Sequence, residues 1–295
     1  MQRLVKIGLI QTTCTQDVQE NFDKTISMIR EAAADGAQII CTQELFKSIY
    51  FCQEENSDYF ELAENVNENS ATVSKLSQLA SDLEVVIVAS LFEKRALGLY
   101  HNTAVVLDAD GSYLGKYRKM HIPDDPYYYE KYYFTPGDLG YQSFKTRYAT
   151  IGVLICWDQW FPEAARLTTM TGAEIILIPT AIGYATTDET SGYDKAWEIV
   201  QRGHAVANAC YLAAVNRTGF EREPNGTHGI KFWGSSFVTD PYGKVLAKAS
   251  RDKEDILLCE VDLNLLRRVR EGFSFPFRDR RVDSYQQLTD LYVDK

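Results

Sequence analysis

The alternation of apolar and polar stretches along the chain predicts an α/β protein. Continuous apolar runs rich in β-branched residues, such as residues 85–89 and 175–178, are typical of strands that are buried on both faces. Amphipathic stretches at residues 17–35 and 161–171 predict helices. Since helices that cover such strands form layers on a buried sheet, we expect a layered α/β domain.

A weak internal duplication runs through the chain. Residues 36–40 are echoed by residues 172–176, each after a predicted helix. Residues 106–116 are echoed by residues 238–248, and both segments predict hairpins with glycine in the turn. The pattern therefore indicates two related α/β halves, with no linker or low-complexity segment between them.

Residues 148–155 form a β-branched apolar run that ends at Cys156 and leads into a polar turn. A helix-start signal follows at residues 161–163, so the expected order is strand, Cys156, sharp turn, helix. A thiol at the start of a helix lies near the positive end of the helix dipole, which lowers its pKa and makes Cys156 a candidate nucleophile. The alternative is a buried, inert cysteine, as most free cysteines are.

Two further predicted strands end in ionisable residues. Residues 37–43 lead into Glu44, and residues 115–118 lead into Lys119. Open α/β folds place their sites at the carboxyl ends of strands, so these two side chains and Cys156 could converge at one edge of a sheet. Each charge also has a simpler interpretation as a solvent-exposed residue, Lys119 in particular because it ends a basic stretch.

In this order and in these contexts, Glu44, Lys119 and Cys156 resemble the Glu-Lys-Cys triad of the carbon-nitrogen hydrolase, or nitrilase, superfamily. The similarity is carried by residues 43–46, 116–123, 133–138 and 152–163, and it extends from residues 5–11 to residues 277–281. The resemblance implies a four-layer α-β-β-α sandwich with pseudo-twofold symmetry. It also implies one hydrolase domain over residues 1–270 and a tail over residues 271–295 that packs on a partner subunit.

The resemblance implies hydrolysis of a C–N bond through a Cys156 thioester. Glu44 would act as general base and then general acid, while Lys119 and the backbone N–H of Trp157 would stabilise the oxyanion. The superfamily uses a second glutamate to orient the lysine and the substrate, and Glu130 is the matching candidate. The alternative for Glu130 is a surface carboxylate paired with the lysine that follows it.

The residues after the nucleophile bear on the substrate. Superfamily members that act on carboxylate-bearing substrates tend to carry arginine three or four positions after the cysteine, where this chain has Gln159 and Trp160. Acidic and aromatic residues line the approaches instead, which suits a primary ammonium group. The substrate-binding candidates are Asp125, Tyr128, Tyr184, Asp188 and Glu189.

Within the superfamily the chain is most similar to members that hydrolyse the cationic ureido compound N-carbamoylputrescine to putrescine, carbon dioxide and ammonia. An amidase, β-ureidopropionase or nitrilase acting on another small amide, ureido compound or nitrile is the alternative. A thiol hydrolase that pairs Cys156 with His121 or His204 is a further alternative. Family tails that pack on partner subunits imply a homo-oligomer.

Composition narrows the remaining classes of protein. The chain has 295 residues, is 45% hydrophobic and carries a formal net charge of −10, which argues against nucleic acid as a partner. We find neither a membrane-length apolar stretch nor a signal-peptide core, so we expect a cytoplasmic protein. The six cysteines and four histidines are scattered, and they indicate neither a disulfide framework nor a metal site. The reaction that the resemblance implies needs no cofactor.

Overall fold

The computed structural model describes residues 3–185, 192–223, 226–272 and 276–293. The helices are α1 Val18–Ala34, α2 Ala71–Leu83, α3 Glu130–Tyr133, α4 Pro162–Met170, α5 Tyr193–Asn208 and α6 Leu263–Gly272. The strands are β1 Leu4–Gln11, β2 Ile39–Thr42, β3 Val86–Ala96, β4 Leu99–Leu107, β5 Tyr113–Arg118, β6 Ser143–Lys145, β7 Thr150–Val153, β8 Ile175–Pro179, β9 Gly183–Ala185, β10 Tyr211–Val215, β11 Thr218–Arg222, β12 Gly229–Trp233, β13 Phe237–Thr239, β14 Val245–Lys248 and β15 Asp255–Asp262.

Two six-stranded sheets form the centre of the fold. Their strand orders are β15-β1-β2-β3-β4-β5 and β6-β7-β8-β10-β13-β14, and a third small sheet has the order β11-β12-β9. In the first sheet β1, β2 and β3 are parallel, and in the second sheet β7, β8 and β10 are parallel. The strands next to each parallel set, β15 and β4 or β6 and β13, pair with it antiparallel. In this order the two sheets have the same arrangement of strands, which confirms the predicted duplication.

Packing arranges the elements in four layers. Inward side chains of the first sheet, among them Ile7 and Val88, share one core with Val153 and Leu212 of the second. The outer face of the first sheet packs on α1 and α2, and α4 and α5 pack against the second sheet. The predicted α-β-β-α sandwich is therefore confirmed, and the apolar strands are continuous because each is covered on both faces.

The duplicated hairpins show why glycine recurs at their turns. Gly111 in the β4–β5 turn and Gly243 in the β13–β14 turn have φ of +86° and +76°, in the left-handed region that side chains rarely adopt. In each turn an aspartate precedes the glycine by three residues, and its carbonyl accepts the glycine N–H. The helix predictions also agree with the structure: Asp17 caps α1, and Pro162 opens α4.

The carboxyl-terminal segment has many exposed side chains. Leu288 is 65% exposed and Leu291 is fully exposed, although the carbonyl of Pro276 accepts a hydrogen bond from Arg166 of α4. Residues 273–275 of the predicted tail lie outside the described residues. No helix in the described ranges is long and apolar enough to cross a membrane. The division into domain and tail stays a prediction.

Candidate active site

Three strand ends meet in a buried charge cluster. Lys119, directly after β5, donates from Nζ to Glu44 Oε1 at 2.8 Å and to Glu130 Oε2 at 2.7 Å. The side chains of all three residues are fully buried. The Cys156 thiol, at 3% exposure, lies within the electrostatic influence of all three groups, and its sulfur accepts a hydrogen bond from the backbone of Ala181. The structure thus brings the predicted triad and Glu130 together. The expected place, one edge of a single sheet, is wrong, because β2 and β5 belong to the first sheet and β7 to the second.

Cys156 stands at a strained point of the chain. β7 ends at Val153, and Cys156 then begins a short 3₁₀ turn, Cys156–Trp160, that leads into α4. Its φ of +42° is unusual for a residue with a side chain, and such strain persists mainly where the surroundings over-determine it, as at functional sites. The order of strand, cysteine, turn and helix is confirmed.

The expected lowering of the thiol pKa is wrong. Burial and the Glu44 carboxylate raise the pKa of Cys156 well above its usual range, and Lys119 only partly opposes them. The expectation failed because the element that starts at Cys156 is a five-residue 3₁₀ turn, whose dipole is small beside the cost of burying a thiolate. A nucleophile in this environment is protonated at rest and needs a base.

Glu44 has one oxygen in use and one free. Its Oε1 accepts from Lys119 and from Asn102 Nδ2, the latter at 2.7 Å. Its Oε2 is buried and has no hydrogen-bond partner in the part of the chain that the structure describes. Buried polar atoms are nearly always paired, so an unpaired carboxylate oxygen here is suited to accept a proton from a reacting group.

Lys119 and Glu130 are not surface charges. Burial by itself would lower the pKa of Lys119, but the Glu130 and Glu44 carboxylates raise it well above its ordinary value, so the side chain is an ammonium. Burial raises the pKa of Glu130 to about 7, although Lys119 opposes the shift. The Tyr50 hydroxyl donates to Glu130 Oε1 at 2.6 Å. The alternative of a solvated Glu130 paired with the following lysine is therefore wrong.

Asp158 joins the cysteine turn to the lysine loop. Its Oδ1 accepts from the backbone N–H of His121 at 2.9 Å and contacts the His121 ring at 2.7 Å. Its Oδ2 accepts from the Ile155 backbone at 3.0 Å and from the Tyr117 hydroxyl at 2.8 Å. The His204 ring contacts the Gln159 carbonyl at 2.8 Å. Among the described residues neither ring is hydrogen-bonded to the Cys156 sulfur, so the geometry does not favour a thiol–histidine pair.

Comparison with known proteins decides the family. The carbon-nitrogen hydrolase family model matches residues 6–271. The chain belongs to the carbon-nitrogen hydrolase family. It is 45% identical to the N-carbamoylputrescine amidase of Oryza sativa subsp. japonica, over 99% of this chain and 96% of the relative. It is 42% identical to the citrullinase of Francisella tularensis subsp. tularensis, over 98% of this chain and 99% of the relative.

A solved structure agrees with this assignment. The carbon-nitrogen hydrolase from Helicobacter pylori G27 is 45% identical and superposes with a TM-score of 0.93, covering 98% of this chain and 100% of that chain. The protein is therefore a carbon-nitrogen hydrolase enzyme with the fold of that family. Among the residues that the structure describes, no group of three or more His, Cys, Asp and Glu side chains could hold a metal ion.

The substrate-binding candidates of this hydrolase occupy different environments. The Tyr128 hydroxyl binds both backbone groups of Gly183, and its ring lies 5.5 Å from that of Tyr50, next to the charge cluster. Asp125 is exposed on the same segment. Tyr184 is buried against Trp233, with ring centroids 4.8 Å apart. Asp188 and Glu189 lie outside the described residues.

Some of the side chains near the predicted ammonium-binding residues are already paired with other groups of the protein. The Arg251 guanidinium lies 5.5 Å from the Tyr184 ring centre and pairs with Asp194 at 2.6 Å, so that carboxylate is not free for a substrate. Gln159 is fully buried, and its Oε1 accepts from Trp197 Nε1 at 2.7 Å. One of the two positions at which carboxylate-specific members were expected to carry arginine is thus filled by a buried amide.

Sequence reasoning missed three residues of this hydrolase site. Asn102 binds Glu44, and Tyr50 binds Glu130. Arg217, fully buried, binds the backbone of the turn that carries Glu44. Arg217 lies two residues after β10, so the strand-end rule that found the triad could also have found it. Nothing in the local sequence marks Asn102 or Tyr50.

Proposed function

We propose that this carbon-nitrogen hydrolase converts N-carbamoylputrescine and water to putrescine, carbon dioxide and ammonia, as a step of polyamine biosynthesis. The similarity to a plant N-carbamoylputrescine amidase over nearly the whole chain supports the choice of substrate. The chemistry rests on one observation, the buried Glu44–Lys119–Glu130 cluster beside a protonated thiol, with Glu44 Oε2 unpaired in the described residues. Such a cluster supplies a nucleophile, a base and a fixed positive charge.

The first half of the reaction forms a thioester. Glu44 Oε2 takes the proton of the Cys156 thiol, and the sulfur attacks the ureido carbon. The proton on Glu44 then passes to the departing nitrogen, and the C–N bond breaks to release ammonia. The N-alkylcarbamoyl group stays on sulfur. General acid-base help of this kind contributes about a hundredfold to ten-thousandfold in rate.

The second half returns the enzyme to its starting state. Glu44 takes a proton from water, the hydroxide attacks the thioester carbon, and the C–S bond breaks. The thiolate recovers a proton from Glu44. The product is an N-alkylcarbamate, which loses carbon dioxide as its nitrogen is protonated, and putrescine remains.

Lys119 and Glu130 are assigned electrostatic roles. Because Lys119 is held as an ammonium by two carboxylates, it is a poor base but a good partner for the oxyanion, together with the backbone N–H of Trp157. Removal of one oxyanion donor typically costs about a hundredfold to a thousandfold in kcat. Glu130 fixes the direction of Lys119 Nζ and helps to orient the substrate.

The far end of the substrate is proposed to bind as an ammonium. Burial of Gln159, with its oxygen already bonded to Trp197, leaves no arginine clamp for a carboxylate after the nucleophile. Tyr128 lies beside the cluster and offers an aromatic face. Asp125, Tyr184, Asp188 and Glu189 stay candidates for the remaining contacts.

Citrulline is the second candidate substrate, favoured by the similarity to a citrullinase over nearly the whole chain. It shares a ureido group on a linear aliphatic chain but adds a carboxylate. Amidase, β-ureidopropionase and nitrilase reactions on other small amides, ureido compounds or nitriles remain alternatives that use the same residues.

The test is ammonia release from four substrates offered in parallel, with the native enzyme and a Cys156→Ala variant. The substrates are N-carbamoylputrescine, citrulline, N-carbamoyl-β-alanine and a simple aliphatic amide. We expect fast release from N-carbamoylputrescine that the variant lacks. Preference for N-carbamoyl-β-alanine would overturn the ammonium site and spare the catalytic residues. Preference for citrulline, which carries an ammonium as well as a carboxylate, would overturn only the choice of N-carbamoylputrescine as the substrate. Undiminished release by Cys156→Ala would overturn the nucleophile.

We further propose a homo-oligomer in which the exposed tail, with Leu288 and Leu291, packs on a partner subunit. Size-exclusion chromatography with light scattering of the whole chain and of a chain ending at residue 275 tests this. Location in the cytoplasm, and the absence of nucleic-acid and membrane partners, stay predictions from the sequence.

A further inference from the structure

Arg217 is a fully buried cation, and three of its hydrogen bonds go to one turn of the chain. Its Nη2 donates to the carbonyl oxygens of Glu44 and Leu45 at 3.0 and 3.1 Å. Its Nη1 donates to the carbonyl of Ser48 at 3.0 Å. Burying a guanidinium is costly unless it is paired and hydrogen-bonded. Three contacts with the main chain of one turn indicate that the buried guanidinium holds this turn in place.

The compensating carboxylate binds the same turn. Glu221 Oε1 accepts from Arg217 Nη1 at 2.6 Å, and its Oε2 accepts from the backbone N–H of Tyr50. The guanidinium lies 5.5 Å from the Phe232 ring centre. The pair therefore contacts residues 44–50 at both ends: at Glu44, the proposed base, and at Tyr50, whose hydroxyl binds Glu130.

The turn needs such support because its backbone is strained. Leu45 has φ of +49°, in the left-handed region that a residue with a side chain rarely adopts. The Leu45 N–H donates to Ser90 Oγ at 3.0 Å, while its carbonyl points to Arg217. Without the guanidinium, the neighbouring carbonyls of Glu44 and Leu45 would lose their shared donor in a buried place.

We propose that Arg217, paired with Glu221, is a positioning residue for catalysis. It holds residues 44–50 so that Glu44 Oε2 faces the Cys156 thiol and the Tyr50 hydroxyl stays on Glu130. This assignment rests on the proposed role of Glu44 as the base. Arg217 touches no reacting atom and acts through the backbone.

Arg217→Lys is the test variant, because it keeps the charge but has a single nitrogen that cannot span the Glu44 and Ser48 sides of the turn. Arg270→Lys is the matched control. Arg270 also donates to two main-chain carbonyls, those of Ala209 and Ala173, at 3.0 and 2.9 Å. Ala173 precedes the amino end of β8, and Ala209 precedes the amino end of β10. Arg270 therefore binds the second sheet at the ends of its strands that lie away from Cys156.

Two quantities are measured: kcat and KM with N-carbamoylputrescine, and the pH profile of Cys156 alkylation by iodoacetamide, followed by mass spectrometry of the Cys156 peptide. For Arg217→Lys we expect kcat to fall about tenfold to a hundredfold with KM changed much less, since small misplacements of catalytic groups have effects of that size. Alkylation should slow at neutral pH and recover toward the native rate at alkaline pH. Arg270→Lys should match the native enzyme in both measurements.

Native kcat and a native alkylation profile in Arg217→Lys would overturn the proposal. If that variant does not fold, Glu221→Gln replaces it. A severalfold loss of kcat is then expected, and native behaviour would again overturn the proposal. Glu44→Gln is measured alongside: full turnover in Glu44→Gln refutes the base itself, whereas an inactive Glu44→Gln with a native Arg217→Lys refutes only the positioning role.

Discussion

Replacing Tyr50 by phenylalanine removes one oxygen atom from the charge cluster. The Tyr50 side chain is fully buried, and its hydroxyl donates to Glu130 Oε1 at 2.6 Å. Phenylalanine keeps the ring and its contact with Phe232, whose centroid lies 5.9 Å away. The substitution therefore tests a single hydrogen bond to a buried carboxylate.

The size of the effect follows from the loss of that donor. A hydrogen bond to a charged group is worth about 1.5–3 kcal/mol, which corresponds to about one to two pKa units. Burial already raises the pKa of Glu130 to about 7, and the Tyr50 hydroxyl acts in the opposite direction. Loss of the hydroxyl favours the protonated acid, so the pKa of Glu130 rises further. At neutral pH most Glu130 would then be uncharged and could no longer pair with Lys119 as an ion.

The assay is kcat/KM for ammonia release from about pH 5.5 to about pH 9.5, since this ratio reports the ionisation of essential groups in the free enzyme. We expect the ascending limb of the Tyr50→Phe profile to move upward by about one to two pH units, with activity partly regained at alkaline pH. Tyr133→Phe is the control, because the Tyr133 hydroxyl donates at 2.6 Å to a main-chain carbonyl, that of Glu54. Coincident ascending limbs for Tyr50→Phe and the native enzyme would refute the reasoning.

Three further outcomes are expected. Gly137→Ala places a Cβ 2.1 Å from the carbonyl oxygen of Arg118, the residue before Lys119. Thermal denaturation should therefore show destabilisation by about 1–3 kcal/mol or more, and kcat should be lower. Native stability and native kcat would contradict this. Burial alone would raise the pKa of Glu93, but hydrogen bonds, first that from Arg118, lower it from 4.5 to about 2. The ionised Glu93 therefore stabilises the folded state above pH 4.5, and this stabilisation is lost as the pH falls toward 2. Glu93→Gln should therefore lose about 3 kcal/mol in urea unfolding at pH 7 and much less near pH 2; an equal loss at both would contradict this. Asp158→Asn weakens the tie between the cysteine turn and the lysine loop, so kcat should fall about tenfold to a hundredfold with KM nearly unchanged, and an unchanged kcat would remove its positioning role.

Glu44, Lys119 and Cys156 could be predicted as a group because the end of a strand at which a residue lies depends on chain direction alone. Each of the three follows a strand, and the carboxyl ends of parallel strands lie at the same edge of a sheet. Only the packing of the two sheets brings Cys156, after β7 of the second sheet, to the residues that follow β2 and β5 of the first. The duplicated segments likewise predicted equivalent positions in the two sheets, since a repeated pattern of apolar residues and turn glycines produces a repeated unit. Both inferences need only local pattern and connectivity.

The electrostatic state of the site could not be derived in that way. A local dipole argument predicted a lowered pKa for Cys156, but burial and the Glu44 carboxylate raise it. Lys119 ends a basic stretch and nevertheless has no exposed surface. Desolvation depends on every layer packed around a group, and residues from distant parts of the chain supply those layers.

The sequence by itself determined the elements, their order, the two related halves and the residue types that can perform C–N hydrolysis, because hydrophobic periodicity and turn chemistry act over a few residues. Tertiary structure alone decided which oxygen of Glu44 is unpaired, which hydroxyl and amide bind the carboxylates, and that Arg217 binds the turn that carries Glu44. Those contacts join groups up to 173 positions apart in the chain. Only the packing of the two sheets brings such groups within hydrogen-bond distance.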